Sequence, residues 1–184
     1  MARTESNMLP LGTNAPDFRL LDTRDDNLKS LSDLKGSTGT LVMFICNHCP
    51  FVIHVNEELV AIANDYATKG INCIAISSND VVNYPQDGPD KMKQNAIDNH
   101  YPFPYLYDET QNVAKAYDAA CTPDFFLFNG ELELVYAGQL DGSRPGNDIP
   151  VTGEDLRNAM DGLVNNSPIN PNQKPSMGCN IKWK

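Results

Sequence analysis

The sequence predicts an α/β fold, with one mixed central sheet carrying helices on both faces and a β extension on its N-terminal side. Three observations predict it. The run Leu41 to Ile45 is continuously apolar, as in a strand covered on both sides. Directly after it, Phe51, Val52, Val55, Leu59, Ile62 and Tyr66 recur at spacings of three and four, which is helical. Read along the whole chain, the order β-α-β-α-β-α-β-β-α suits one layered sheet.

Residues 1 to 10 read as loose. Leu11 to Lys35 hold Ala15-Pro16-Asp17-Phe18-Arg19-Leu20-Leu21-Asp22, then polar turn residues, then Leu28, Leu31 and Leu34. This predicts a short strand or hairpin and one helical turn ending near Gly36. Gly70 closes the helix that follows the apolar run, and Ile71 to Ser77 is a second β-rich run. A polar connection spans Ser78 to Gly88. Pro89, tolerated at a first helical position, opens a helix through about Asn99. Phe103 to Tyr107 reads as a short strand, and Thr110 to Tyr117 as a short helix capped by Asp108 or Thr110. Asp124 to Phe128, Asn129-Gly130 and Glu131 to Tyr136 predict a hairpin with a type I′ turn. Thr152 opens the last helix, with Leu156, Ala159, Met160 and Leu163 on one face. One domain over 1–184 is expected, with a core of about 11–165 and an irregular tail, 166–184, rich in Pro, Asn and Ser. No internal repeat is present.

A length of 184 residues allows a sizeable core in a single domain. The formal charge of −10 excludes a nucleic-acid surface, which needs clustered Lys and Arg. The first residues show no apolar core after a positive start, and no stretch approaches the ~20 apolar residues of a membrane helix. A cytoplasmic protein without a membrane partner is therefore expected. Five cysteines, scattered apart from one pair, do not suggest a secreted disulfide framework. In a reducing compartment such a pair cycles rather than staples.

That pair is Cys46-Asn47-His48-Cys49, between the apolar run and the helix. Cys46 is expected near the helix N-cap and Cys49 one turn in. A helix N-terminus stabilises the thiolate, which is the nucleophile of disulfide exchange. Residues i and i+3 there fall within the roughly 4.4–6.8 Å of Cα separation that a disulfide bridges. Cys46, projecting beyond the helix end, is the expected nucleophile, and Cys49, turned inward, the resolving thiol. Zinc also takes C-x₂-C, but a structural site needs two more ligands and the chain has no second pair. No metal site is expected. His48 adds a second stabiliser of the Cys46 thiolate if its imidazole carries charge; otherwise it is an exposed linker residue. Cys73, within a β-rich run, reads as an inert core thiol.

Residues 11 to 165 resemble the thioredoxin-like superfamily, in the branch with an N-terminal extension that includes peroxiredoxins and bacterial thiol-disulfide oxidoreductases. Cys46-Asn47-His48-Cys49, Thr122-Pro123 ahead of a strand, and Ala15-Pro16-Asp17-Phe18 carry the likeness. Two departures stand out: Ile45 replaces the Trp usual before the first Cys, and Asn-His replaces Gly-Pro between the cysteines. The resemblance implies a thioredoxin-like fold in which Pro123 is cis and faces the cysteines, leaving the backbone of Thr122 free to pair with substrate. Strongly oxidising relatives also carry His before the second Cys. Cys121, just before Thr122, and Cys179, in the tail, are further thiols whose part is open. Arg144 follows the hairpin's return toward the same edge, as a supporting residue or a solvated loop arginine. Ile181 and Trp183 are expected to pack the tail against the domain.

The function this implies is a thiol-disulfide oxidoreductase. Cys46 attacks a substrate disulfide and Cys49 resolves the mixed disulfide, with no metal or organic cofactor. Its partners are protein or small-molecule thiols and disulfides, and a thiol reductant or oxidant that resets the pair. With His48 beside Cys46, the potential is expected above the roughly −270 mV of thioredoxin. One alternative is a thiol peroxidase. Peroxiredoxins, however, hold their Cys in Pro-x-x-x-Thr-x-x-Cys, whereas Met43 stands three before Cys46 and Cys46 three before Cys49. The other alternative is a non-enzymatic binding module of the same fold.

Overall fold

Strand β4 (Gly39–Phe44) is buried along its whole length, because it lies inside a sheet with a core on each face. Leu41, Met43 and Ile45 point into one core, and Val42 and Phe44 into the other. The period of two that was hidden in a continuous apolar run is thus divided between two layers. The computed structural model describes residues 3–184; residues 1 and 2, part of the stretch expected to be loose, lie outside it.

Around β4 the described chain forms β1 (Arg3–Glu5), β2 (Arg19–Asp22), β3 (Asn27–Ser30) and α1 (Leu31–Leu34), then, after β4, α2 (Pro50–Ala67), β5 (Ile71–Ser77) and α3 (Pro89–Asp98). There follow β6 (Tyr105–Tyr107), α4 (Asn112–Ala116), β7 (Cys121–Thr122), β8 (Asp124–Asn129), β9 (Leu134–Gly138), α5 (Glu154–Val164) and β10 (Met177–Asn180). The main sheet runs β3-β2-β6-β5-β4-β8-β9. Strands β4, β5 and β6 are parallel; β2, β3, β8 and β9 pair antiparallel. Residues of α2, α3 and α5 join the first core, and residues of α1 and around α4 join the second. The mixed sheet, the helices on both faces and the N-terminal β2–β3 hairpin are as expected. None of the helices is long and apolar enough to cross a membrane, among the described residues.

Four local expectations differ. Residues 3 to 5 form β1 rather than loose chain, and the tail contains β10. These strands build a second sheet, β1-β10-β7, in which Cys179 faces Arg3 on one side and Thr122 on the other. A strand this short carries no readable periodicity, and its partners come from remote parts of the chain. In the β8–β9 hairpin, the turn spans Gly130 to Glu133 with Leu132 at φ 63, wider than a two-residue Asn-Gly turn. There Asn129 Oδ1 accepts from the N–H groups of Glu131 and Glu133, holding the longer loop closed. The caps of α4 and α5 are Gln111 and Gly153, both at positive φ, in place of Asp108 or Thr110 and Thr152. Asp108 still serves α4, its Oδ2 accepting from Ala114 N at 2.9 Å. Last, Ile181 is buried in the second core, whereas Trp183 is 42 % exposed.

Candidate active site

The two cysteines leave the end of β4 and enter α2, but shifted from their expected places. Pro50 is the first helical residue and Cys49 is the N-cap, in an extended conformation. Proline has no N–H to lose at that position and disfavours helical geometry in the residue before it. The helix therefore starts one residue after Cys49, and Cys46 lies in the connection ahead of it. The N-terminus of α2 thus serves Cys49 more directly than Cys46.

Both thiols are nearly enclosed, Cys46 at 2 % exposure and Cys49 at 0 %. Cys46 Sγ is 3.5 Å from Thr122 Oγ1. Cys49 Sγ is 3.1 Å from the Thr122 carbonyl oxygen and 2.9 Å from Cys179 Sγ. The Thr122–Pro123 peptide is cis, as the resemblance implied. As a thiol, Cys49 donates to that carbonyl; as a thiolate, it accepts from its thiol neighbours.

The charge is distributed differently from expectation. A hydrogen bond from Cys46, then others from Cys179 and Thr122, outweigh burial and bring the Cys49 thiol down to about 5. The same bond, burial and the charge of Asp87 push Cys46 up. Charge in the reduced pair is thereby favoured on Cys49 over Cys46. The expectation placed that stabilisation on Cys46, through His48.

Asp87 is the reason His48 acts differently. It is fully buried, in the connection read as merely polar, and its Oδ2 is 2.6 Å from His48 Nδ1, out of line for a hydrogen bond. Asn47 N donates to Asp87 Oδ1 at 2.9 Å and Asn79 Nδ2 to Oδ2 at 2.8 Å. The His48 ring also stacks on Tyr84, with centroids 5.8 Å apart. A cationic imidazole here faces a buried carboxylate first and Cys46 second. Asp87, Asn79 and Tyr84 were not legible in advance: nothing in Tyr84-Pro85-Gln86-Asp87 separates that acid from the ordinary turn acid Asp80. Among the described residues, donor atoms of Cys46, His48 and Asp87 lie within 4.8 Å of one another. These are types zinc accepts, but a closed structural site uses four protein ligands.

The remaining candidates separate. Arg144 lines a small cavity with Phe51, His54 and Pro123, yet its guanidinium donates to Gln139 Oε1 and to the carbonyls of Asp141 and Ser143. It braces its own loop rather than contacting a cysteine. Cys121 Sγ is 3.5 Å from the Pro123 carbonyl, and burial pushes its thiol up. Cys73 is buried in the first core and held up to about 12 by that burial, as befits an inert thiol. Cys179 is the one extra thiol that reaches the pair.

Residues 11–137 match the AhpC/TSA family. The chain is 59% identical to an uncharacterized conserved protein from Geobacillus kaustophilus, covering 100% of this chain and 97% of that one at a TM-score of 0.98. A hypothetical protein from Sinorhizobium meliloti is 48% identical over 98% of each chain, with a TM-score of 0.96. The thioredoxin domain of a thiol-disulfide oxidoreductase from Bacteroides vulgatus is 21% identical over 71% of this chain and 89% of its own, at a TM-score of 0.60. That last likeness shows a thioredoxin-like fold. No curated protein sequence matches.

Proposed function

We propose that this chain, which belongs to the AhpC/TSA family, is a thiol-disulfide oxidoreductase working through Cys46 and Cys49. One observation carries the reading: two buried thiols at the start of α2 that both contact Thr122, beside the cis Thr122–Pro123 peptide. Of the two, Cys46, in the connection ahead of α2, attacks. Its proton passes to Cys49, and its sulfur displaces one half of a substrate disulfide. Cys49 then attacks Cys46 Sγ, the second substrate thiol leaves carrying a proton, and the Cys46–Cys49 disulfide remains. Two substrate thiols appear for two protein thiols consumed. The reverse sequence oxidises a substrate dithiol. The partners are thus protein or small-molecule thiols and disulfides, with a thiol reductant or oxidant to reset the pair, and a cytoplasmic setting suits a pair that must be re-reduced.

The test is trapping. Cys49→Ser in the full chain should accumulate mixed disulfides through Cys46 when mixed with a protein disulfide, while the wild type reduces it and becomes Cys46–Cys49. Adducts through Cys49 in Cys46→Ser but none in Cys49→Ser would reverse the roles. Failure of the pair to oxidise reversibly would leave a binding module of the same fold.

A second reading, thiol peroxidase, is favoured by one contact. The Thr hydroxyl absent from position 43 is supplied from across the site by Thr122, 3.5 Å from Cys46 Sγ. Steady peroxide consumption with a thiol donor, lost in Cys46→Ser, would establish it over the first.

A further inference from the structure

The edge beside Pro123, expected to lie open for a substrate backbone, is filled by the chain itself. Strand β10 pairs antiparallel with β7, setting Cys179 opposite Thr122 and Asn180 opposite Cys121. It is held on its other edge by β1. Beyond Cys179 the chain is tied down as well: Ile181 N donates to Ala120 O at 3.1 Å, Lys182 N to Asn79 Oδ1 at 2.8 Å, and Gln111 Nε2 to Lys182 O at 2.8 Å. Anchors on both sides thus fix the Cys179 thiol against Cys49. The separation of 2.9 Å needs to shorten by only roughly 0.9 Å to reach the S–S bond length of about 2.05 Å. A core thiol needs neither a partner thiol nor a place on the strand paired beside the site; Cys73 has no such thiol partner among its described hydrogen bonds and Cys179 has both.

We propose that Cys179 is a third redox-active thiol, with Cys49 the sulfur common to two alternative disulfides, Cys46–Cys49 and Cys49–Cys179. The inference rests on the oxidoreductase reading above. Starting from the oxidised pair, the Cys179 sulfur, losing its proton, attacks Cys49 Sγ. The Cys46–Cys49 bond breaks, the Cys49–Cys179 bond forms, and Cys46 leaves as the thiolate and takes up a proton. The chain gains and loses no electrons in this exchange, so no outside reductant or oxidant takes part. Its product is a buried disulfide and a free Cys46 thiol for a second substrate.

The experiment uses full-length Cys46→Ser, oxidised with glutathione disulfide, alkylated and mapped by mass spectrometry without reduction. The expected product is a Cys49–Cys179 linked peptide, with both thiols lost to alkylation. In Cys46→Ser/Cys179→Ser, Cys49 should carry glutathione instead. Glutathione on Cys49, or a free Cys49, in the single variant would overturn the third thiol. The wild type, treated alongside, separates the two readings. Cys46–Cys49 formed in the wild type without Cys49–Cys179 in the variant removes only the inference; Cys49–Cys179 in the variant with no Cys46–Cys49 in the wild type keeps the third thiol but removes the function it was drawn from.

Discussion

A β-carbon placed on Gly178 would collide with the carbonyl oxygen of Thr122. Strand β10 therefore lies closer to the edge beside Pro123 than any residue but glycine permits. This close approach, not a left-handed backbone, is what position 178 demands, and it brings the neighbouring Cys179 onto Cys49.

Gly178→Ala should consequently push β10 off β7. Overpacking of this kind typically costs about 1–3 kcal/mol, which denaturant unfolding would show. In the folded state, Cys49 and Cys179 should become faster to alkylate while Cys73, buried on β5, stays protected. Alkylation rates equal to those of the wild type would mean that the strand can move aside freely.

The reduced pair should ionise in one early step. With Cys49 at about 5 and Cys46 displaced upward, thiolate absorbance should rise as pH increases through that value. The step should vanish in Cys49→Ser. In Cys46→Ala, which removes the side chain that lowers Cys49 most, it should move to higher pH. Because the folded value lies below the ordinary 9.0, ionisation of Cys49 favours the folded chain above 9.0 and that contribution is lost as pH falls through about 5. A single ionisation near the ordinary thiol value would sink this assignment.

Asp87 and His48 should act on the potential in opposite directions. The Asp87 charge opposes a thiolate in the pair, most directly at Cys46, so Asp87→Asn should favour the reduced pair and make it more oxidising. His48→Ala leaves that charge unbalanced whenever the imidazole was protonated, and should make the pair more reducing. For a two-electron couple about 30 mV corresponds to about 1.4 kcal/mol, and shifts of up to that order are expected. Equilibration in glutathione buffers measures both; shifts of the same sign would show that the ion pair does not govern the site.

Asp124 should make the fold sensitive to pH. Burial pushes its carboxyl from 3.8 up to about 7, and its Oδ1 has no hydrogen-bond partner. Between those values the unfolded chain has lost the proton that the folded chain keeps, so stability falls as pH rises. Asp124→Asn does not titrate, and relative to the wild type it should gain stability across that window, by a few kcal/mol at most at about 1.4 kcal/mol per unit. Thermal unfolding of both proteins below and above the window checks it. A constant difference would remove Asp124 from the pH response.

The sheet and its main helices were legible because their signals are local. An apolar run, a 3.6-residue periodicity and Pro89 each act within a few neighbours, and β4, α2 and α3 follow them. Thr122-Pro123 was legible through resemblance. The start of α2 was misplaced because Pro50 outranks the apolar spacing that begins at Phe51, a local rule with a stronger steric basis. Arg144 was placed on the right edge, but its hydrogen bonds to nearby carbonyls and Gln139 could not be read from its position.

By itself, then, the sequence determined an α/β domain with a Cys-x-x-Cys pair between a buried strand and a helix, since backbone preference and apolar spacing are properties of neighbouring residues. Only the tertiary structure brought Cys179 against Cys49 and Asp87 against His48. The surroundings of the pair depend on burial, on contacts with Thr122 and Cys179 and on the charge of Asp87, groups brought to Cys46 and Cys49 from remote segments. Electrostatic effects in a dry site are set by distances of a few ångströms, and a chain read in one dimension contains no such distances.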